Sequence, residues 1–249
     1  MVCAQIGSRS ANVTTGLSVV IPCLNECETI ARAVARARAA IASTGLPGEV
    51  IVADNGSSDG SVELAQVAGA RIVAVQRRGY GEALHAGISQ ARFTYVGFAD
   101  ADLSYPFDEM ARLLEPLHTD RADFVLGSRL RGLIEPGAMP FLNRYLGTPV
   151  LSKCIGLVTG LWTSDCNSGM RVFRRDLYAT LDLRCRGMEY ASEMLIRVAA
   201  CDLRFHEVPI VFHRDQRGKP PHLRRWRDGF RHLRYIVSCI PQFWLRAAR

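Results

Sequence analysis

The chain has 249 residues, 48% of them hydrophobic, which is enough for one large α/β domain or two small ones. The net charge of +7 is compatible with a nucleic acid, an anionic membrane or a phosphorylated substrate as partner. No apolar run reaches about 18 residues, and residues 1–16 lack the apolar segment of a signal peptide, so neither a membrane span nor secretion is expected.

The first half of the chain alternates apolar runs with helical patterns. Strands are predicted at 17–22, 50–53, 70–75 and 93–99, and helices at 28–43, 61–67, 77–90 and 106–118. Residues 1–16 are small and polar, and we expect them to be disordered. Strands that alternate with helices through short turns predict an α/β fold with a mostly parallel sheet and helices on both faces.

The second half of the chain changes in character. A strand is predicted at 123–129, then a loop and an amphipathic helix at 143–158, a turn at 165–170 that leads into a strand, a helix at 189–201 and a last strand at 205–211. From Arg214 onward the chain is basic and carries interspersed aromatic residues. We therefore divide it into a domain at 17–213 and a basic amphipathic tail at 214–249. The tail either lies on an anionic membrane surface or docks on the domain.

Two carboxylates stand at the end of the predicted strand at 93–99. Asp100 and Asp102 project in the same direction if the backbone stays extended. In open α/β sheets ligands bind at the carboxyl ends of strands, and carboxylate oxygens suit Mg²⁺ or Mn²⁺ carried on substrate phosphates. Taken alone, the pair is also typical of a turn that caps the next helix, so the neighbouring motifs decide its interpretation.

Polar motifs follow the predicted strands in a fixed order. They are Pro22 to Glu26, Asp54 to Gly60, Arg78 to Ala83, Asp100 to Leu103, Gly127 to Arg129, Asp165 to Arg171, Met188 to Glu193 and Glu207 to Pro209. Together they resemble glycosyltransferase family 2, and within it the branch that makes dolichyl-phosphate and polyprenyl-phosphate sugars. The resemblance runs from residue 17 to residue 219 and implies a GT-A fold, an α/β domain that binds nucleotide sugars.

The resemblance implies a donor site at the ends of the first strands. Its nucleotide-sugar contacts would be Pro22, Leu24, Asn25, Glu26, Asp54, Arg78, Gly79, Asp100, Ala101 and Asp102, and its metal ligands for Mg²⁺ or Mn²⁺ would be Asp100 and Asp102. A carboxylate such as Asp54 can accept hydrogen bonds from a base or a ribose. Two alternatives stay open, namely an Asx turn or helix cap at Asp54 and an ordinary basic helix start at Arg78 and Gly79. We interpret Asp59 as an Asx turn or helix cap.

The resemblance also implies catalytic and acceptor-binding groups. Asp102, Arg129 and Asp165 would be catalytic, and the acceptor and its phosphate would be bound by Arg129, Arg144, Ser168, Arg171, Arg214 and Lys219. A guanidinium group offers a planar fork for two phosphate oxygens. An alcohol acceptor needs a general base, whereas a phosphomonoester, with a second pKa of about 6, is mostly a dianion and needs a cluster of cations instead. Glu189 and Glu193 either take part in chemistry or order the loop at 165–171.

These inferences predict an inverting, metal-dependent transfer of a hexose, mannose or glucose, from a GDP- or UDP-sugar to a polyprenyl phosphate. The reaction is expected at the cytoplasmic face of a membrane, whose anionic surface would be a further partner. One alternative keeps the donor but uses a soluble acceptor such as a secondary metabolite. A sugar-phosphate nucleotidyltransferase is less favoured, because Pro22 to Glu26 stands where that class has a Gly-rich loop. No nucleic-acid partner is expected, because such a module leaves the acidic motifs unexplained.

Overall fold

A computed structural model describes residues 14–218 and 225–247. Its strands are β1 (Leu17–Cys23), β2 (Gly48–Asp54), β3 (Arg71–Ala74), β4 (Tyr95–Phe98), β5 (Phe124–Ser128), β6 (Arg171–Arg174) and β7 (Phe205–Pro209). Its α-helices are α1 (Ile30–Ser43), α2 (Ser61–Val67), α3 (Tyr80–Ser89), α4 (Met110–His118), α5 (Thr148–Thr159), α6 (Leu177–Leu181), α7 (Tyr190–Ala200) and α8 (Arg225–Ala247). Lys219 and most of the N-terminal segment that we expected to be disordered lie outside the described residues.

The seven described strands form one mixed sheet in the order β3-β2-β1-β4-β6-β5-β7. β6 is antiparallel to β4 and to β5, and the other neighbouring pairs are parallel, which confirms the prediction of a mostly parallel α/β sheet. Arg171 pairs with Phe98, the last residue of β4. Because β6 runs in the opposite direction, the loop that precedes it arrives at the edge where β4 ends.

The strands are buried because helices cover both faces of the sheet. In β1, Val19 and Ile21 belong to the apolar cluster that includes Val34 of α1. Val20, which points to the opposite face, belongs to a second cluster with Leu84 of α3. All five side chains are fully buried, and each stabilises the fold by about 1.5–3 kcal/mol relative to an exposed position.

Several elements differ from the predictions in detail. A 3₁₀ turn (Phe107–Glu109) precedes α4, since Pro106 keeps an extended backbone and delays the start of the predicted helix. The amphipathic helix predicted at 143–158 begins with a π-helical turn (Asn143–Gly147) and continues as α5. The short helix α6 has no counterpart among the predictions, because five residues are too few to display a helical period.

One face of α8 packs against α5 and α7. His232 Nδ1 lies 2.7 Å from the Ser192 hydroxyl, and the Tyr235 hydroxyl donates to Glu193 at 3.2 Å. The other face leaves apolar side chains exposed, including Phe230. The tail thus contains a helix that docks on the domain, and the boundary at residue 214 stays a prediction. In the described parts of the chain, every helix is too short or too polar to cross a bilayer.

Candidate active site

The carboxyl ends of β1, β2 and β4 meet at one edge of the sheet, because these parallel strands are neighbours. β1 contains the half-buried Pro22, and the loop directly after β1 contains Leu24, Asn25 and the buried Glu26. β2 delivers Asp54, and β4 leads into Asp100, the buried Ala101 and Asp102. The fold therefore brings together the residues that we expected to form a donor site.

The two carboxylates after β4 are held by local hydrogen bonds. Asp102 Oδ1 accepts from the backbone N–H of Ser104 at 2.9 Å and from its hydroxyl at 2.6 Å, while Asp100 Oδ1 accepts from the Tyr80 hydroxyl at 3.1 Å. Burial and then the charge of Asp102 raise the pKa of Asp100 above its usual range. Carboxylate oxygens are hard donors of the kind that suit a divalent cation. Within the described ranges no group of three or more acidic, His or Cys side chains is arranged to hold a metal ion.

Gly169 lets the loop before β6 approach Asp100 closely. A Cβ at this position would lie 2.7 Å from Asp100 Oδ2 and 3.2 Å from a ring carbon of Tyr105. The backbone N–H of Gly169 donates to the Tyr105 hydroxyl at 2.7 Å. Tyr105 therefore fixes the distance between this loop and the carboxylates.

The loops after β1 and β2 are joined by hydrogen bonds. The Asn25 N–H donates to the Ser57 hydroxyl at 2.8 Å, and the Ser58 N–H donates to Asn25 Oδ1 at 2.8 Å. Asp54 accepts from the N–H groups of Gly56 and Ser57 at 3.2 and 3.1 Å, which is the Asx turn of our alternative interpretation. A contact between Asp54 and a nucleotide stays a prediction.

Asp59 belongs to the same pair of loops and has a structural role. Burial alone would raise its pKa, but hydrogen bonds from the Ser61 hydroxyl and the Cys27 backbone lower the pKa to about 2. Its carboxylate accepts from the N–H of Ser61, the first residue of α2, and from the N–H of Cys27. Asp59 thus anchors the start of α2, in agreement with our interpretation.

Gly79 is needed because another loop lies against it. A Cβ on Gly79 would lie 2.2 Å from the carbonyl oxygen of Arg186. The Asn55 side chain donates to the Gly79 carbonyl at 2.8 Å and accepts from its N–H at 3.3 Å. Glu193 holds the approaching loop, since its carboxylate accepts from the N–H groups of Arg184 and Cys185 at 2.9 and 2.7 Å. Glu193 therefore orders the loop at 184–186, and the two roles considered for it at the 165–171 loop stay predictions.

Arg78 is exposed beside these loops. Its Nε would lie 3.9 Å from a Cβ on Gly56, so its guanidinium reaches over the loop that follows β2. This position is compatible with either role proposed for it, a donor contact or a basic surface.

Arg129 and Asp165 form a buried ion pair. Arg129 Nε and Nη2 each donate at 2.7 Å to a different oxygen of Asp165, and the Arg129 backbone N–H adds a third bond at 3.0 Å. Asp165 is 0% exposed and Arg129 is 9% exposed. The Arg129 guanidinium also lies over the rings of Phe212 and Tyr105, 5.1 and 5.9 Å from their centroids. Tyr105 therefore contacts both the Arg129–Asp165 pair and the loop at Gly169 that approaches Asp100.

The remaining predicted acceptor residues occupy different environments. Arg171 is 0% exposed, and its guanidinium donates to the backbone carbonyls of Ser168, Ala191 and Cys166. Ser168 is also buried and donates to the Gly127 carbonyl. The Ser168 hydroxyl and three of the Arg171 N–H groups thus hold the 165–171 loop, and a contact of either side chain with an acceptor stays a prediction.

Arg144 and Arg214 lie closer to the solvent. Arg144 is partly exposed on the π-helical turn, with its guanidinium 5.3 Å from the centroid of the Tyr145 ring. Arg214 is exposed and donates to the Pro136 carbonyl. A phosphate contact by either side chain stays a prediction.

Three residues of the site were missed by the sequence predictions. Arg217 contacts both Glu26 and Asp102, Tyr105 links the two halves of the site, and Glu207 accepts hydrogen bonds from Thr163 and Ser164 next to Asp165. Glu207 was visible as part of a motif, and Tyr105 lies two residues after the Asp100–Leu103 motif. Arg217 was one of many basic residues in the tail, and nothing local marked it.

The sequence is similar to those of known glycosyltransferases. The model of "Glycosyl transferase family 2" matches residues 18–182. The hexosyltransferase Agl6 of low-salt glycan biosynthesis in Haloferax volcanii is 38% identical over 240 residues, which cover 96% of this chain and 57% of that protein. A dolichyl-phosphate hexose transferase of the same organism is 32% identical over 171 residues, 69% of this chain and 72% of that protein. The chain thus spans little more than half the length of the first relative.

Solved structures share the fold. Glucosyl-3-phosphoglycerate synthase from Mycobacterium tuberculosis, in complex with phosphoglyceric acid, superimposes with a TM-score of 0.71 at 22% identity, over 96% of this chain and 84% of that one. This likeness confirms the GT-A fold that the motifs implied. The family match over residues 18–182, together with the dolichyl-phosphate hexose transferase at 32% identity, establishes that the chain belongs to glycosyltransferase family 2.

Proposed function

We propose that this protein transfers a hexose from a nucleoside-diphosphate sugar to a polyprenyl phosphate, with inversion at the sugar C1. A phosphate oxygen of the acceptor attacks C1 as the bond from C1 to the diphosphate oxygen breaks, so the electron pair leaves with the nucleoside diphosphate. Relatives whose names state a dolichyl-phosphate or undecaprenyl-phosphate acceptor support this class of acceptor.

The donor would bind at the edge formed by β1, β2 and β4. Asp100 and Asp102 would hold Mg²⁺ or Mn²⁺, which, when bound, neutralises charge on the diphosphate leaving group. The loops that contain Asn25, Asp54 and Gly79 would surround the nucleotide. Complexes of the Mycobacterium tuberculosis synthase with Mn²⁺ and uridine diphosphate support a donor site of this kind.

The observation that carries the choice of acceptor is the state of Asp165. Both of its oxygens accept from Arg129, and the side chain has no exposed surface. A carboxylate in this state is poorly suited to take a proton from an alcohol, because it would have to give up a buried bidentate ion pair. A phosphate acceptor needs no such base. We therefore assign Asp165 a positioning role, in which it holds the Arg129 guanidinium.

An apolar surface beside this loop supports a lipid acceptor. α5 contacts the loop directly, because Ser152 accepts from the N–H of Cys166 at 3.0 Å and Thr148 accepts from the Asn167 side chain at 3.4 Å. Around α5 several large apolar side chains are exposed, namely Phe141, Tyr145, Leu146, Val150, Leu157 and Trp162. A polyprenyl chain or the surface of an anionic bilayer at the cytoplasmic face would cover this apolar surface.

The decisive experiment is transfer of labelled sugar to an extractable polyprenyl phosphate. Purified protein is given GDP- or UDP-linked mannose or glucose with Mg²⁺ or Mn²⁺, and the lipid fraction is counted. We expect a labelled lipid with one donor and a loss of at least about 100-fold for Asp102→Asn, since one of the two metal ligands is removed. Asp108→Asn, at an exposed carboxylate on the neighbouring 3₁₀ turn, is the matched control and should keep the wild-type rate.

Each other outcome points elsewhere. Donor hydrolysis without a labelled lipid would overturn the lipid acceptor and favour a soluble one. An undiminished rate of Asp102→Asn would remove the metal site from the proposal.

A further inference from the structure

The Arg217 guanidinium lies among the carboxylates of the donor site. Its Nη1 is 2.9 Å from Glu26 Oε1, and its Nη2 is 3.3 Å from Asp102 Oδ2. Only 9% of the Arg217 side chain is exposed, with 6% for Glu26 and 13% for Asp102. The positive charge that these buried carboxylates require is therefore supplied by a residue far along the chain.

Neighbouring residues fix the orientation of the Arg217 side chain. Asp215 accepts from the Arg217 side chain at Nε and Nη2, at 3.0 and 2.6 Å, and from its backbone N–H at 2.8 Å. The backbone of the same segment is bonded to the rim of the site, since the Gln216 N–H donates to the Asp102 carbonyl at 3.0 Å and the Gly218 N–H donates to Glu28 at 2.7 Å. We call residues 213–218 the strap.

We propose that Arg217 is a placeholder for the divalent cation, which means that its guanidinium supplies the positive charge beside Glu26 and Asp102 until the metal binds. Donor binding and release of the strap are then one event. A cation bound to Asp102 next to the guanidinium would bring like charges together in a poorly solvated site. Binding of the metal with its nucleotide must therefore displace Arg217 and break the strap's bonds to the rim. The inference rests on the proposed donor site and adds to it a residue that competes with the metal.

The proposal predicts that loosening Arg217 tightens metal binding. The apparent affinity of the open site is reduced by the fraction of molecules in which the placeholder is engaged. For Arg217→Gln we expect Mn²⁺, added alone, to bind at least about tenfold more tightly, as measured by the free Mn²⁺ signal in electron paramagnetic resonance. This readout requires neither acceptor nor turnover.

A second variant distinguishes displacement of Arg217 from a general effect of charge on Mn²⁺ binding. Asp215→Asn keeps Arg217 but removes the carboxylate that aims it, and it makes the site more positive by one charge. Long-range electrostatics alone would weaken Mn²⁺ binding in this variant, whereas release of the placeholder strengthens it. Arg38→Gln is the matched control, because exposed Arg38 donates to the Ala68 carbonyl at 3.0 Å and has no hydrogen bond to the strap or to the carboxylates, and the Mn²⁺ affinity of this variant should stay near wild type.

Amide exchange tests the coupled release. When Mn²⁺ is added with GDP or with UDP to the wild-type protein, the N–H groups of Gln216 and Gly218 should exchange faster while those of the loop at 55–58 slow down. Wild-type binding with unchanged affinity in Arg217→Gln and Asp215→Asn would overturn the placeholder and leave the donor site standing. Absence of Mn²⁺ binding in the wild type and in all variants would overturn both.

Discussion

At the scale of single residues, the site depends on how closely Gly169 approaches Asp100. A Gly169→Ala substitution places a methyl group 2.7 Å from Asp100 Oδ2, a distance that forces the carboxylate or the loop to move. We expect Mn²⁺ affinity and transfer rate to fall at least about tenfold, because a metal ligand is displaced. Isothermal titration with Mn²⁺ and the lipid assay would measure the two losses.

Gly147→Ala is the matched control for this substitution. The atom nearest to a Cβ at this position would lie 3.6 Å away, which is an ordinary van der Waals contact, so a methyl group fits there. Equal losses in both variants, or a Gly169→Ala protein with wild-type Mn²⁺ affinity, would show that close approach to Asp100 is not required.

Substitutions in the Arg129–Asp165 pair can separate its contribution to the stability of the fold from its proposed role in holding the acceptor phosphate. Removing one partner leaves a buried, unpaired charge, so Arg129→Met and Asp165→Leu should each lower the free energy of unfolding by about 3–5 kcal/mol. The double variant should recover much of this loss, because two apolar side chains of similar size replace the pair. Urea unfolding measures the recovery.

The same double variant should nevertheless remain inactive in transfer, since Arg129 is proposed to hold the acceptor phosphate. A stable and active double variant would reduce the pair to a structural role.

The sequence predicted the position of individual residues in the fold where a motif is local. Asp100 and Asp102 were identified because they follow a strand, and Glu26 because it follows another. Arg217 was not, because it contacts Glu26 across 191 positions of sequence. Such a contact depends on the path of the chain after β7, which is the edge strand next to β5. From there the strap reaches the loop after β4, where the Gln216 N–H donates to the Asp102 carbonyl.

At the scale of elements, β6 shapes the site. Its antiparallel insertion between β4 and β5 delivers the 165–171 loop to the ligand-binding edge, which a fully parallel sheet would not do. Alternation of strands and helices predicted the class of fold, but the direction of a four-residue strand leaves no periodic signal in the sequence. The fold was thus predictable from its pattern, and the pairing of Asp165 with Arg129 was not.

The docking of α8 predicts a dependence of stability on pH. Burial lowers the pKa of His232 to about 4, with Glu189, Asp228, Arg171 and Arg231 as the charged groups around it. In the unfolded chain His has a pKa of about 6.5. The unfolded state therefore binds a proton between these values while the folded state does not, so stability is complete above about pH 6.5 and is lost as the pH falls towards 4.

The expected loss is about 3 kcal/mol over this interval. His232→Gln removes the titrating ring and should flatten the slope of unfolding free energy between pH 7 and pH 4.5, as followed by urea unfolding. His206→Gln, at an exposed position of β7, is the control and should keep the wild-type slope. Identical slopes in all three proteins would place the acid sensitivity elsewhere.

At the scale of the whole molecule, two different surfaces adjoin one another. The edge of the sheet carries carboxylates and arginines suited to phosphates, and next to it the surroundings of α5 expose apolar side chains. α8 packs against α5 and adds exposed Phe230, Val237 and Trp244, with Arg227 and Arg234 on the same helix. This combination of cations and apolar groups is typical of a protein surface that lies on an anionic bilayer.

Flotation with vesicles tests that surface. Phe141 and Tyr145, whose ring centroids lie 4.7 Å apart, are 75% and 59% exposed, so their replacement by Ser should leave the fold intact. If these rings enter the bilayer, Phe141→Ser/Tyr145→Ser should bind vesicles containing an anionic lipid at least about tenfold more weakly, because the loss of two buried aromatic groups exceeds 1.4 kcal/mol. Val67→Ser changes an 89% exposed apolar residue of α2, which lies against the edge strand β3, and should float as wild type does. Wild-type flotation of the double variant would argue that the apolar surface does not face lipid, and a soluble phosphate acceptor would then become the better hypothesis.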